Sequence, residues 1–474
     1  MTPRATDFEH KQPATKRPKK RRSKKVRLPA SLKRVNLDAA GIDVGAGEHY
    51  VALPEDRDER PVRSFTSFTV DLCAIADWLE SCGITTIAME STGVYWIPLF
   101  EVLEERGFEV LLVDPHKLKN VSGRKTDVLD CQWIQQLHTY GLLSGAFRPS
   151  GEVCALRSYA RQRDMLIRRS AEHVQHMQKA LAQMNVKLSQ VLSNVTGKTG
   201  MTIIRAILEG ERDPTKLAEY RDWRCRKDEA TIAKALHGNW RDEHLFALRQ
   251  AVELYDTYQE KIAACDREIN TKLGSFPDAV AGLAPLEKKP KSPASHPLSF
   301  DGYSELYRIT GVDLTKIPGL DAPTVLTIVS EIGLDMTRWR HVKAFGSWLG
   351  LCPGSKVSGG KRLSSRTKAC ANRAATAFRL AAYSLQHSKS YLGAFCRRMK
   401  VRMGPAKAIT ATAYKLARIV YTMLLNRVPY LEKGIDYYEQ EYRGRRIASL
   451  MRSARDLGFQ VVPIGPDPAG PVLA

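Results

Sequence analysis

The chain has 474 residues, 43% hydrophobic and 26% charged, which is long enough for more than one core because single cores stop growing well below this length. Its 73 Lys and Arg against 51 Asp and Glu leave a formal charge of +22, so the expected partner is a polyanion, nucleic acid first, held through counterion release. No apolar run reaches the length of a membrane span, the start is polar and basic, and the nine cysteines form neither CxxC pairs nor Cys/His clusters at zinc spacing. A membrane protein, a disulfide-framed secreted domain and a zinc-stapled fold are therefore excluded from the expectation, which is a soluble cytoplasmic chain without a membrane partner.

In chain order, residues 1–34 hold thirteen Lys and Arg against Asp7 and Glu9, half of the whole charge excess, with prolines and no apolar periodicity. They read as a disordered basic arm. From Val35 short β-rich runs follow: NLDAAGIDV, HYVAL and VRSFTSF. A helical stretch spans about 71–81, then come TTIAME, a helix from Val94, and FEVLLV. Three strands and then alternating helix and strand predict an α/β domain over 35–150, a mixed sheet flanked by helices. The polar loop DPHKLKNVSGRK leads into a helix over TDVLDCQWIQQLHTYGLL, with Thr126 as its expected N-cap.

Residues 151–285 are helical in character. Two long stretches with apolar residues at threes and fours predict an antiparallel coiled coil interrupted by a short helical insert around 201–237. The Pro-, Lys- and Ser-rich segment 286–300 reads as a linker. An α-helical domain is expected over 301–460, with 461–474 as a tail. Its KIPGLDAPTVLTIVSEIG segment suits a helix-hairpin-helix element whose turn amides can hold a phosphate, although an ordinary helix pair fits the residues nearly as well.

Two constellations carry chemistry. Asp43 lies in the first strand pattern and Glu90 ends the run TTIAME, while Asp127 and Asp130 stand three apart at a helix start and so share a face. Four converging carboxylates require divalent cations between them, and Mg²⁺ or Mn²⁺ held in this way suits phosphodiester chemistry. Each acid alone reads more readily as a cap or a surface charge, Asp127 above all, the set of four being what points to a site, and Asp114 in VDPHK is a lower-ranked competitor.

In the second, GLCPGSKVSGGKRLSSRTKACANR places Ser358 before two glycines and among Lys361, Arg362, Arg366, Lys368 and Arg373. The glycines allow close backbone approach and the cations suit a phosphate, so these five are the expected nucleic-acid contacts. Ser358 could attack a phosphodiester, but no neighbouring His supplies a base, and Ser355, Ser364 and Ser365 are rivals. On residues alone, a phosphate-binding loop with Ser358 as a hydrogen-bond donor is the simpler reading.

Taken together, GIDVG, AMESTGVYW, GRKTDVLD and the SGGK-type loop resemble a family of insertion-sequence transposases with a DEDD signature, and SKSYLGAFCRRMKVRMG and KAITATAYKLARIVYTML are family-like as well. One departure is Cys131, where the family commonly has Ala after the last acid. The resemblance covers about Val35 to residue 460. It implies a RuvC-like domain of ribonuclease-H type, Asp43, Glu90, Asp127 and Asp130 as metal ligands, and Ser358 as the catalytic serine. It further implies a composite centre across the subunits of a homo-oligomer, dimer or tetramer, guided by a structured RNA pairing with donor and target DNA, in a bacterial, nucleoid-associated setting. Three rival readings remain: a metal-dependent structure-specific nuclease that uses water, a non-catalytic nucleic-acid-binding protein, and an actin-like kinase suggested faintly by DVGAGEHY.

Overall fold

The computed structural model describes residues 33–115, 127–283, 286, 296–368 and 372–462. Most of the basic arm, Thr126, most of the linker and the end of the tail thus lie outside the described residues. The chain divides into two units, 1–148 and 149–474.

The first unit is built on a five-stranded sheet of β1 Ala39–Val44, β2 Glu48–Ala52, β3 Val62–Thr66, β4 Thr86–Glu90 and β5 Glu109–Val113, in the order β3-β2-β1-β4-β5. β1, β2 and β3 form an antiparallel meander, whereas β1, β4 and β5 run parallel. Crossover helices α1 Thr69–Ser81 and α2 Trp96–Glu105 join the parallel strands, as parallel pairing demands. This is the mixed α/β sheet of a ribonuclease-H or RuvC-like domain.

Strand alternation decides which side chains face which helix. Ala40, Ile42 and Val44 of β1 and Ile87 and Met89 of β4 enter one core with Leu72, Ile75 and Leu79 of α1 and Leu99 and Leu103 of α2. The intervening residues face α3, Asp127–Thr139, whose Ile134 packs on Ala88 and Val113. On that face Gly41 is required: a Cβ there would lie 2.2 Å from the Gln135 amide nitrogen and 2.5 Å from the Cys131 carbonyl oxygen. Helix α3 therefore sits backbone-to-backbone on β1. Gln135 ties it to the Ala39 carbonyl at 3.3 Å, and His138 meets the Thr86 hydroxyl at 2.9 Å.

The second unit opens on two 33-residue helices, α4 Gly151–Gln183 and α9 Asp242–Gly274. They pair antiparallel, with Arg163 on Asp266, Gln259 on Ser170, and Met177 in one core with Val252. The Arg163–Asp266 pair, 2.5 Å apart, is buried, and Arg163 also donates to the Pro297 carbonyl while Asp266 accepts the Ser299 N–H. Such a pair fixes register, because one slipped turn would bury both charges unpaired. Between the long helices lie α5 Leu188–Val191, α6 Lys198–Glu209, α7 Pro214–Glu219 and α8 Glu229–Ala235, which gather round a core shared with the adjoining ends of α4 and α9.

Beyond them are α10 Gly302–Thr310, α11 Ala322–Ile332, α12 Val342–Trp348, α13 Arg373–Ser384, α14 Tyr391–Met403, α15 Pro405–Asn426 and α16 Gly434–Asp456. Trp339, Phe345 and Tyr421 form its aromatic centre. The base of α4 is fastened to the end of α11, with Arg161 bidentate to Glu331 at 2.7 and 2.8 Å and Arg157 donating to the Ser330 and Glu331 carbonyls. The segment expected as a loop around Ser358 contains a two-stranded hairpin, β6 Lys356–Ser358 and β7 Lys361–Ser364.

Candidate functional site

The acidic site follows from the sheet. Asp43 is the fifth residue of β1 and Glu90 the last of β4, and the parallel register Ile42↔Met89 makes them neighbours at the carboxyl ends of adjacent strands, on the face that α3 covers. Asp127 and Asp130 occupy the first turn of α3, where carboxylates favour the positive end of the helix dipole. The close seating of α3 on Gly41 brings this turn to the end of β1. Carboxylate oxygens of Asp43, Asp127 and Asp130 lie within 4.8 Å of one another.

Burial, and after it the charges of Glu90, Asp130 and Asp127, pushes the Asp43 carboxyl up to about 7. Negative charge is thus concentrated at the carboxyl end of β1, where each carboxylate disfavours ionisation of the next. The donors are hard carboxylate oxygens, which suit a divalent ion of the Mg²⁺ class better than a soft metal. Glu90 stands at the rim of the trio, its Oε1 accepting the Thr92 hydroxyl at 2.5 Å. Asp114, directly after β5, is not part of the trio. Cys131 is fully buried, and its small side chain meets the requirement for close contact between α3 and β1; burial there pushes its thiol up to about 12. One neighbour was missed in the sequence. Tyr50 pairs across from Asp43 in β2, its hydroxyl donating to Glu48 at 2.9 Å; the alternation of HYVAL gives its face but not its partner.

In the second unit, Ser358 closes β6 opposite Lys361 and is exposed. The turn between them is Gly359-Gly360, with φ of 54° and 73°. Two consecutive positive φ values are the hallmark of the tight hairpin turn that glycines populate at little strain. The hairpin's base is tied by Gly354 N–H to the Arg366 carbonyl at 3.0 Å and by the Pro353↔Thr367 bridge. Lys361, Arg366 and Lys368 are exposed, and Arg362 lies on β7 opposite Val357. Arg373 differs from these: it opens α13 and pairs with Asp164 of α4 at 3.1 Å. Of the rival serines, Ser364 accepts the Arg366 N–H at 3.2 Å.

Two family models match the chain: a DEDD transposase model of the IS110 type over residues 40–186, and the transposase model of the IS116/IS110/IS902 family over residues 313–396. The chain belongs to the IS110 family of transposases. It is accordingly a DNA transposase/recombinase of insertion sequences, with DNA as its substrate. The first match contains all four acids and the second contains Ser358 and the hairpin. No curated protein matches the transposase at a significant level. Among the described residues, no helix is long and apolar enough to cross a membrane.

Proposed function

We propose that the transposase cuts and rejoins DNA by a covalent route in which Asp43, Glu90, Asp127 and Asp130 hold Mg²⁺ or Mn²⁺ and Ser358 is the nucleophile. The convergence of three carboxylates at the end of β1, with the Asp43 carboxyl raised to about 7 by burial and then by its acidic neighbours, carries this reading. When bound, the metal supplies charge neutralisation at the scissile phosphate and activation of an attacking or leaving oxygen. The protein's part is to fix the acids: α3 is locked to β1 through Gly41 and Gln135, so little reorganisation is needed when charge develops.

On the serine side, the Ser358 Oγ–P bond forms as one phosphodiester P–O bond breaks and a deoxyribose oxygen departs. Attack of a DNA hydroxyl on the phosphoserine then restores the phosphodiester and releases the serine, so the bond energy is conserved. Exposure beside a tight glycine turn lets a duplex backbone approach Ser358, and Lys361, Arg366 and Lys368 are suited to hold phosphates there, with Arg362 a further candidate by its place in the sequence. Arg373 is a phosphate contact only after its pair with Asp164 opens or is shared. The family resemblance supports a structured guide RNA and a homo-oligomer as partners, with the α4–α9 helix pair as the segment through which subunits associate.

The test is denaturing electrophoresis of the protein with Mg²⁺, its element-derived RNA and labelled DNA. A protein–DNA band in the wild type that is lost in both Ser358→Ala and Asp43→Ala is the expected result. Full-rate cleavage by Ser358→Ala, with free ends and no such band, would instead identify a metal nuclease that uses water.

A further inference from the structure

The far end of the long helix pair carries a surface that neither the acids nor the serine hairpin explains. The chain turns back there through a small cap built on Met184, Ile203, Ile204, Leu217 and Leu236. The loop that joins α7 to α8, residues 221–228, presents Trp223 outward at 83% exposure, the most exposed aromatic side chain among the described residues. An indole left in water is unusual, since it forgoes the burial of roughly 150–250 Å² that makes Trp valuable in a core. Its companions are mainly cations: Arg224, Arg226 and Lys227 are exposed in the same loop and Lys198 at the start of α6, against one exposed acid, Asp228, which caps α8. Lys198, Arg226 and Lys227 form no salt bridge among the described residues.

The loop is rigid by construction. Arg221 donates to the Lys227 carbonyl at 2.6 Å and to the Cys225 carbonyl at 2.8 Å, and the Asp222 N–H donates to the Thr199 hydroxyl at 3.0 Å. Arg224 grips both Asp222 oxygens at 2.9 and 3.1 Å, which holds that carboxyl far below the usual carboxylate range. Beside the loop opens a cavity of about 510 Å³ lined by Ser193, Asn194, Lys198, Arg224, Arg226 and Lys227. That volume lies within the span of small-ligand pockets, about 300–1,000 Å³.

We propose that this cap is a docking platform for single-stranded nucleic acid, with one base stacked on Trp223 and the flanking phosphates held by Lys198, Arg226 and Lys227. A π face ringed by cations fits a polyanion carrying unstacked bases, whereas an apolar protein surface would call for apolar neighbours around the indole. A base inside a duplex cannot reach the ring, so the platform selects unpaired strands or loops. A preformed loop avoids the ordering cost that a flexible one would bear on binding. The proposal rests on neither the acidic cluster nor Ser358, and it reads out as binding.

The experiment uses the full chain with oligo-uridylate, oligo-thymidylate and a duplex of equal length, by fluorescence anisotropy across a salt series. It is joined to photocrosslinking with 4-thiouridine or 4-thiothymidine strands and peptide mapping. Expected are a crosslink within residues 220–227, about tenfold weaker single-strand binding in Trp223→Ala, and near wild-type binding in Trp223→Phe. Arg226→Ala with Lys227→Ala is expected to flatten the salt dependence by about 1.4, at about 0.7 per cation. A preference for one of the two single strands assigns the ligand as RNA or DNA. Crosslinks that map only elsewhere overturn the proposal, as does a Trp223→Ala loss that is equal for duplex and single strand. Since Trp223 is exposed, its variants should melt with the wild type, which separates binding from folding.

Discussion

The acidic site and the serine hairpin are built on opposite plans. The acids are set by a packed interface: a glycine that admits a helix backbone, a parallel register that aligns Asp43 with Glu90, and a helix start that supplies two more carboxylates. Ser358 stands on an exposed two-stranded hairpin whose turn is two glycines, with no packed core holding its hydroxyl. The first site is defined by what the fold forbids to move, and the second by what it leaves open for a large substrate. This contrast teaches that stability and activity should separate cleanly at one site and not at the other.

The largest expected effects are on activity. Asp43→Asn and Ser358→Ala should each lower strand cleavage by about 10³-fold or more, measured as single-turnover rates with saturating Mg²⁺. Only the serine variant should keep wild-type stability, within about 0.5 kcal/mol, because its side chain is exposed. Equal destabilisation of both would break the comparison. Gly41→Val should come next. Its side chain has to enter the space of the Gln135 and Cys131 backbone, so a loss of about 3 kcal/mol or more, seen as an early melting transition, is expected together with loss of metal binding.

A smaller effect concerns pH. Folding raises Asp43 from 3.8 to about 7, so the metal-free folded chain binds this proton more tightly than the unfolded one. Its contribution to stability is complete below pH 4 and declines as pH rises toward 7. Asp43→Asn should remove that slope and gain about 1–2 kcal/mol at pH 8 in chelator, after discounting for solvent screening. Divalent-ion affinity should rise across the same interval in the wild type, because the ion displaces the proton. Flat melting curves from pH 4 to 8 would contradict the burial of Asp43 among the other acids. The smallest effect belongs to Gly360→Ala, which places a Cβ at φ of 73° and should strain the turn by about 1 kcal/mol. It should reduce cleavage modestly while leaving metal binding unchanged.

Much of the first unit was legible because its strands alternate and its helices repeat at 3.6, and those periods expose Asp43, Glu90, Asp127 and Asp130 at element ends. Tyr50 was not seen, since strand partners depend on register, which a single strand does not reveal. Around Ser358 the Gly359-Gly360 pair is a hairpin signal, but the strands beside it are only three and four residues long, too short for a period to emerge. An exposed serine has no burial or charge signature either, so the choice of Ser358 as nucleophile rests on the family resemblance. The Arg373–Asp164 pair joins residues 209 apart in the chain, and such a partner is invisible to local spacing. Trp223 was passed over for a related reason: only its exposure, a tertiary property, sets it apart from a core tryptophan.

The most direct measurement is mass spectrometry of the protein trapped on DNA in Mg²⁺, with peptide mapping of the adduct. The account predicts a nucleotide phosphate on the peptide containing Ser358, absent from Asp43→Asn reactions. An adduct on Ser355, Ser364 or Ser365, or rejoined product formed without any protein-linked intermediate, would contradict it.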